Sequence, residues 1–405
     1  MTSDARLAWL RRPGAWLWLA LAAGALLRIY LVVCTEGSFD VLVKAQHGRS
    51  VHAFGLIEYY RRGPVFNHPP LAGRFFEAAS VLAEATGVPF RVLLRAPFAL
   101  LDAAAAFALF ALFRASPWRY AVVAGYWLNP LAWVFSAYHG NTDSVVALSA
   151  MLALLAVARG RPALAGVALG LGIGIKLPAV LAAPAVFFWL EGWRRRGAFA
   201  GALALVALAA YLPEVAREPA LLASRIAGYP GSGAQTVHGV PIWGIWTAVG
   251  LGSLPGLRGV ARWFATHNTL ICLAPIVAVA WLRRGRREPL ELGATVFAGF
   301  MLLYGFTSQW AFQYLAWSAP FWCFRGARYA ALGSLLLGGY IYGVYALYCG
   351  NPWLLGLWDQ VRVVAWPLWL EWLRDAAVVF CFVSAVWIVG EAAREALRSR
   401  QARSA

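Results

Sequence analysis

Residues 36–71 read EGSFDVLVKAQHGRSVHAFGLIEYYRRGPVFNHPPL. This is the first polar segment of the chain and it follows an apolar run from Ala15 to Cys34. Two acids, Glu36 and Asp40, stand at its start; His47, His52 and His68 follow, and it closes on Asn67-His68-Pro69-Pro70. The apolar run before it is long enough for a membrane-spanning helix. A loop of this length and polarity between spans has room for chemistry that the rest of so apolar a chain lacks.

Outward from that loop the chain is 61% hydrophobic and 13% charged over 405 residues, with a mean hydropathy of +0.64. Soluble domains carry about 25% charged residues. The apolar runs are continuous rather than alternating, which excludes a membrane β-barrel. The expectation is an all-α polytopic membrane protein with a helical first outer loop, one transmembrane domain over residues 1–405. Twelve spans are expected, at about 15–34, 89–113, 120–137, 143–158, two short helices within 163–190, then 198–213, 264–282, 289–306, 313–324, 329–349 and 366–390. The formal charge of +17 does not imply nucleic acid, because the arginines sit in short gaps between spans, as a topology signal does. The five cysteines are scattered without a CxxC pair and read as small buried hydrophobes. The first apolar run, preceded by Arg6, Arg11 and Arg12, reads as a retained helix rather than a cleaved leader.

Placing the N-terminus in the cytoplasm puts most of the basic gaps inside, with both termini cytoplasmic. It also puts every chemically interesting polar segment on the opposite face: the loop at 35–88, the turn at His139, the break at Lys176, the long segment 214–263 and the turn at Gln309. In a bacterial cell that face is the periplasmic side of the inner membrane.

Asp40, at the membrane exit, suits a general base for a hydroxyl nucleophile; a helix cap is the structural alternative. The paired prolines fix the backbone that presents His68 and Asn67, and Tyr60 offers a flat wall for a sugar. In the second span Arg91, Arg95 and Asp102 share one helix face. The two arginines read as phosphate ligands, or else Arg95 and Asp102 pair to brace the bundle. His139-Gly140-Asn141-Thr142-Asp143-Ser144 is a polar turn that either caps a helix or binds substrate through His139 and Asp143. Lys176 sits between Gly174 and Pro178, where a helix break leaves donors free for an anion. Gln313 lies in an aromatic and amide turn.

These stretches together resemble the GT-C superfamily of polytopic glycosyltransferases, in particular those using polyprenyl- or dolichyl-phosphate sugars. The motifs carrying the resemblance are Ser38-Phe39-Asp40, Phe66-Asn67-His68-Pro69-Pro70-Leu71, Leu128-Asn129-Pro130 with His139-Gly140-Asn141-Thr142-Asp143-Ser144, Ile175-Lys176-Leu177-Pro178, and Gln313-Tyr314-Leu315-Ala316-Trp317. The resemblance implies an inverting transfer of a sugar, mannose foremost, from a polyprenyl-phosphate donor to a lipid- or glycan-linked hydroxyl. Asp40 takes the catalytic-base role, Arg91, Arg95, Lys176 and His139 face the donor phosphate, and His68, Asn67, Tyr60, Asp143 and Gln313 line the substrate. A single acid at Asp40, not an adjacent pair, argues against a required metal; no cofactor is expected, and membrane lipids are the remaining partner. The competing readings are a transporter or lipid flippase, which the lack of an internal repeat disfavours, and a non-catalytic partner subunit.

Overall fold

The computed structural model describes residues 13–63, 66–228 and 236–404; the basic N-terminal residues Arg6, Arg11 and Arg12, and positions 229–235 within the segment 214–263, lie outside them. The chain is almost wholly helical. Its strands, among the described residues, are four two-residue pieces in two pairs.

Six helices among the described residues are long and apolar enough to cross a membrane: Gly14–Cys34, Phe90–Leu112, Trp193–Val215, Pro289–Phe306, Ala327–Cys349 and Leu368–Arg398. A seventh span results if Pro255–Thr266 and Asn268–Leu282, bent by 76°, are counted together. Several of the twelve expected helices are thus shorter or broken, and the residues explain why. The stretch 120–137 ends its first helix at Trp127 and restarts at Pro130, because proline disfavours helix in the residue before it. Asn129 caps the restart, accepting the Leu131 N–H at 2.9 Å, and the chain then widens into a π turn, Val134–His139. The stretch 313–324 is a 3-10 helix, Phe312–Arg325. Its three-residue repeat eclipses side chains at i and i+3, so Tyr314 stacks on Trp317 at 4.4 Å. Helices Asp143–Ala158, Pro162–Ile175 and Leu177–Trp189 are apolar but short, and the expected break at Lys176 falls between the last two.

Close helix contact in lipid depends on small residues. Helix Pro162–Ile175 meets helix Trp193–Val215 through Gly166 and Gly170: a Cβ would stand 2.2 Å from the Phe199 carbonyl and 2.9 Å from that of Leu203. The first loop is folded rather than slack. Helices Phe39–Phe54, Leu56–Arg62 and Pro70–Thr86 bury their own small core, which includes Val41, Val51, Leu56, Tyr60, Phe66 and Phe76 and leans on Leu94 and Phe98 of the next span.

Arg95 and Asp102 do not pair. Asp102 binds Arg28 of the first span at 3.1 Å and accepts a hydrogen bond from Ser136 at 2.5 Å. Arg95 is fully buried and donates to the carbonyls of Val32, Thr35, Tyr138 and Arg91 and to the Thr35 hydroxyl. It thus ties the end of the first span to the second and to the π turn. Replacing Arg95 by Leu would leave those acceptors buried without a donor. The expected cost is about 3 kcal/mol or more, read as a marked fall in the melting temperature of the purified protein.

Candidate active site

The cleft lies where the loop helices meet the π turn and the Lys176 break, and it encloses about 610 Å³. Asp40, Lys44 and His47 line it from one face of helix Phe39–Phe54; Asn67 and His68 come from the proline turn, and His139 and Asn141 from the end of the π turn. Lys176, Leu177 and Pro178 form another wall; Gln309, Trp310, Phe312 and Gln313 form a third; Trp358 and Gln360 reach in from the segment between the last two long helices. A larger groove, about 810 Å³, runs along the first two spans. Its lining is apolar apart from Arg28, which is committed to Asp102, so the chemistry belongs to the smaller cleft.

Asp40 is in the first turn of its helix, and its position is fixed by a short strand. Gly37 and Ser38 pair in parallel with Leu357 and Trp358. Gly37 has φ +88°, and a Cβ there would stand 2.8 Å from Arg95 Nη1, so the pairing requires glycine. Ser38 also donates to the His139 carbonyl at 2.9 Å. Among the described residues the Asp40 carboxylate is met on Oδ2 alone, by His139 Nε2 at 3.0 Å and Lys44 Nζ at 3.7 Å. Oδ1 is left to the cleft, and the side chain is 31% exposed.

Burial alone would raise the Asp40 pKa. The electrostatic pull of His139 and Lys44 and the His139 hydrogen bond outweigh it and hold the carboxyl far below its ordinary range. Burial lowers Lys44, with Asp40 opposing. His47 is lowered to about 4 by burial and by Lys44, and His68 is lowered well below its usual value by burial and then by Lys176 and Lys44. Both imidazoles are therefore neutral at pH 7, His47 bonded to the Tyr59 hydroxyl at 2.7 Å. His139 is held from its other side by the Tyr345 hydroxyl, 2.7 Å from Nδ1.

Six of the ten site residues expected from sequence, Asp40, Asn67, His68, His139, Lys176 and Gln313, line this cleft. Four do not. Arg95 spends its donors on carbonyls and the Thr35 hydroxyl as described, and neither it nor Arg91, one turn earlier, lines this cleft. Tyr60 is buried behind the wall, its hydroxyl donating to the His68 carbonyl at 2.5 Å; it fixes the proline turn rather than offering a face to a sugar. Asp143 is fully buried, accepts from Trp317 Nε1 at 2.5 Å and lies 3.6 Å from Lys176 Nζ, so it orients the lysine from behind. Lys44, Trp358, Gln360 and Tyr345 were not anticipated. Among the described residues no group of three His, Cys, Asp or Glu side chains is placed to hold a metal.

The arrangement is also similar in fold to a solved structure. The chain superposes on the crystal structure of ArnT from Cupriavidus metallidurans bound to undecaprenyl phosphate, with a TM-score of 0.50 and 13% identity, over 95% of this chain and 78% of that one. The class is thereby set: a polytopic membrane protein with the GT-C fold. The family model of glycosyltransferase family 87 matches residues 78–308, more than half of the chain. The chain belongs to that family and is a glycosyltransferase. None of the curated proteins matches it. The matched residues include His139, Asp143 and Lys176; Asp40, His68, Gln313 and Trp358 lie outside them.

Proposed function

We propose that the cleft transfers a hexose, mannose foremost, with inversion, from a polyprenyl-phosphate donor to a hydroxyl on a lipid- or glycan-linked acceptor at the outer face of the inner membrane, with both termini cytoplasmic. The observation that carries this reading is an ionised carboxylate with one free oxygen sharing a cleft with two ammonium groups, Lys44 and Lys176. The acceptor oxygen attacks C1 of the donor sugar opposite the phosphate. The C1–O bond breaks with its electron pair leaving on the phosphate, and the acceptor proton passes to Asp40 Oδ1.

A carboxylate this acidic is a weak base at rest. It suffices here because the acceptor proton becomes acidic only as the new C–O bond forms. The phosphate leaving group gains negative charge as the bond breaks, and fixed ammonium groups in a water-poor cleft stabilise that charge. Each lysine is matched by one aspartate, Lys44 by Asp40 and Lys176 by Asp143. That balance accommodates a singly charged phosphodiester better than a diphosphate. The undecaprenyl phosphate bound to ArnT supports the same class of carrier, and the basic gaps on one side support the topology.

The test is incubation of purified protein with a panel of radiolabelled polyprenyl-phosphate sugars, nucleotide sugars and a membrane lipid extract. Label should move to a lipid or glycan from a polyprenyl-phosphate sugar and from no nucleotide sugar. Transfer from a nucleotide sugar alone would overturn the donor assignment.

A further inference from the structure

His139 is held at both ring nitrogens. Nε2 lies 3.0 Å from Asp40 Oδ2, and Nδ1 lies 2.7 Å from the Tyr345 hydroxyl. Tyr345 stands near the C-terminal end of helix Ala327–Cys349 and is fully buried. Its ring stacks on Trp358 at 4.9 Å and meets Phe135 and Tyr138 edge-on at 5.6 Å and 6.0 Å, which leaves the hydroxyl little freedom. The imidazole is equally confined. It is 2% exposed, and the His139 carbonyl accepts from Ser38, two residues before Asp40.

The hydrogens in this chain of three groups follow from what each can donate or accept. Asp40 is ionised and a carboxylate only accepts, so the hydrogen between it and His139 belongs to Nε2. Nδ1 then carries either a lone pair or, in an imidazolium, a second hydrogen. Among the described residues the Tyr345 hydroxyl bonds nothing but Nδ1. Were Nδ1 protonated, the hydroxyl would accept from it, and the hydroxyl's own hydrogen would be buried without an acceptor, which costs free energy. With Nδ1 bare, every hydrogen from Tyr345 through His139 to Asp40 has an acceptor.

We infer that Tyr345 is a positioning residue for the transfer: by donating to Nδ1 it holds His139 as a neutral imidazole and keeps a further cation from forming against Asp40. The inference rests on the glycosyl-transfer reading above and adds to it a residue outside the part of the chain that the family model matches. A cation touching a carboxylate weakens it as a base. Lys44 Nζ already stands 3.7 Å from Oδ2, and the imidazole at 3.0 Å is nearer, so a charge on the ring would act more strongly. Tyr345 thereby sets how readily Asp40 takes the acceptor proton without touching substrate itself. The other charged or titratable groups around the imidazole are Lys44 on the loop helix, Arg95 behind the π turn, Tyr138 and Asp143 beside that turn, and His68 and Lys176 on the cleft walls. None of them bonds Nδ1 among the described residues, and all are common to the proteins compared in the test, so their effects cancel in a ratio of rates.

The test compares the full-length protein with Tyr345→Phe and with Tyr345→4-aminophenylalanine, whose neutral amine still donates to Nδ1. Phenylalanine keeps the stacked ring but opens Nδ1 to a proton in the range where imidazoles titrate. The ratio of Tyr345→Phe to wild-type kcat should therefore fall as pH is lowered from 8 to 5.5. The expected fall is about tenfold, because an adjacent cation lowers a carboxyl pKa by about 1–3 and only part of that reaches the rate. KM for donor and acceptor should hold, and the 4-aminophenylalanine protein should return a flat ratio. The resting state is read without turnover. In wild-type protein labelled with 15N-histidine, His139 should show a protonated Nε2 and a bare Nδ1 at pH 7.5, its signal identified by its loss in His139→Asn. An imidazolium there would overturn the inference, even if Tyr345→Phe does not fold. So would a Tyr345→Phe ratio that stays flat or rises towards pH 5.5. Absence of transfer by the wild-type protein from every donor would instead overturn the functional reading beneath it.

Discussion

Asp40→Asn lowers transfer by about three orders of magnitude, the middle of the range for removing a general base, while binding of the polyprenyl-phosphate donor persists. The amide keeps an oxygen for His139 Nε2 but cannot take the acceptor proton. The substitution also strips a counter-charge from Lys44, whose side chain is 2% exposed, so some stability is lost with the activity. Asp40→Glu separates the two effects. It restores the charge, and the fold with it, but displaces the reacting oxygen by about 1 Å, a shift that costs on the order of a hundredfold. Turnover near wild type in Asp40→Asn would remove the carboxylate from the mechanism.

The electrostatics give this prediction a pH dependence. The folded-state pKa of Asp40 lies below its unfolded value, which is about 3.9, with burial overcome by His139 and Lys44. Its contribution to stability is therefore fully present above the unfolded value and is lost as pH falls through the folded one. Between pH 5 and 7 Asp40 does not titrate, so the ratio of wild-type to Asp40→Asn rates should stay constant across that window. Rates measured side by side in one buffer series check it; a ratio that falls steadily towards pH 5 would mean that the carboxyl gains its proton in that range.

Polarity inside an apolar chain made the cleft legible. Asp40, His68, His139 and Lys176 are conspicuous because nothing near them in sequence needs a charge or an imidazole, and all four reach the cleft. The same signal also marks Arg91, Arg95 and Asp143, which do not line it. A buried charge looks alike in sequence whether it faces a ligand or a ring of carbonyls, and only the contacts around Arg95 reveal the second. Lys44 shares one helix face with Asp40, four residues on, so the helical reading of the first loop already places the two together. Tyr345 and Trp358 gave no such cue: an aromatic in an apolar run is ordinary, and what brings them to His139 is a two-residue strand pairing more than 300 residues apart in the chain. Span positions are legible from apolar length, but the breaks within them are not. Pro130 and the three-residue aromatic repeat of Phe312–Arg325 break or tighten helices that hydropathy alone reads as whole.

Lys176→Met should cost about a hundredfold or more in turnover, because a fixed cation at the leaving group acts chiefly in the transition state. Alone it is an ambiguous variant. Lys176 Nζ stands 3.6 Å from Asp143, which is fully buried, and Asp143 Oδ2 has no hydrogen-bond partner among the described residues. Removing the lysine strands that carboxylate, and an uncompensated buried charge costs about 3–5 kcal/mol. The double variant Lys176→Met with Asp143→Asn removes both charges together, and an amide oxygen still accepts from Trp317 Nε1. Its melting temperature should return most of the way to wild type while its turnover stays low, because stability depends on the pair and catalysis on the cation alone. Donor affinity divides the catalytic loss further. A cation that acts mainly on the leaving group lowers kcat with little change in KM, whereas one that binds substrate and transition state equally raises KM. Recovery of turnover together with stability in the double variant would show that Lys176 serves only to neutralise Asp143, and the leaving-group charge would then fall to Lys44.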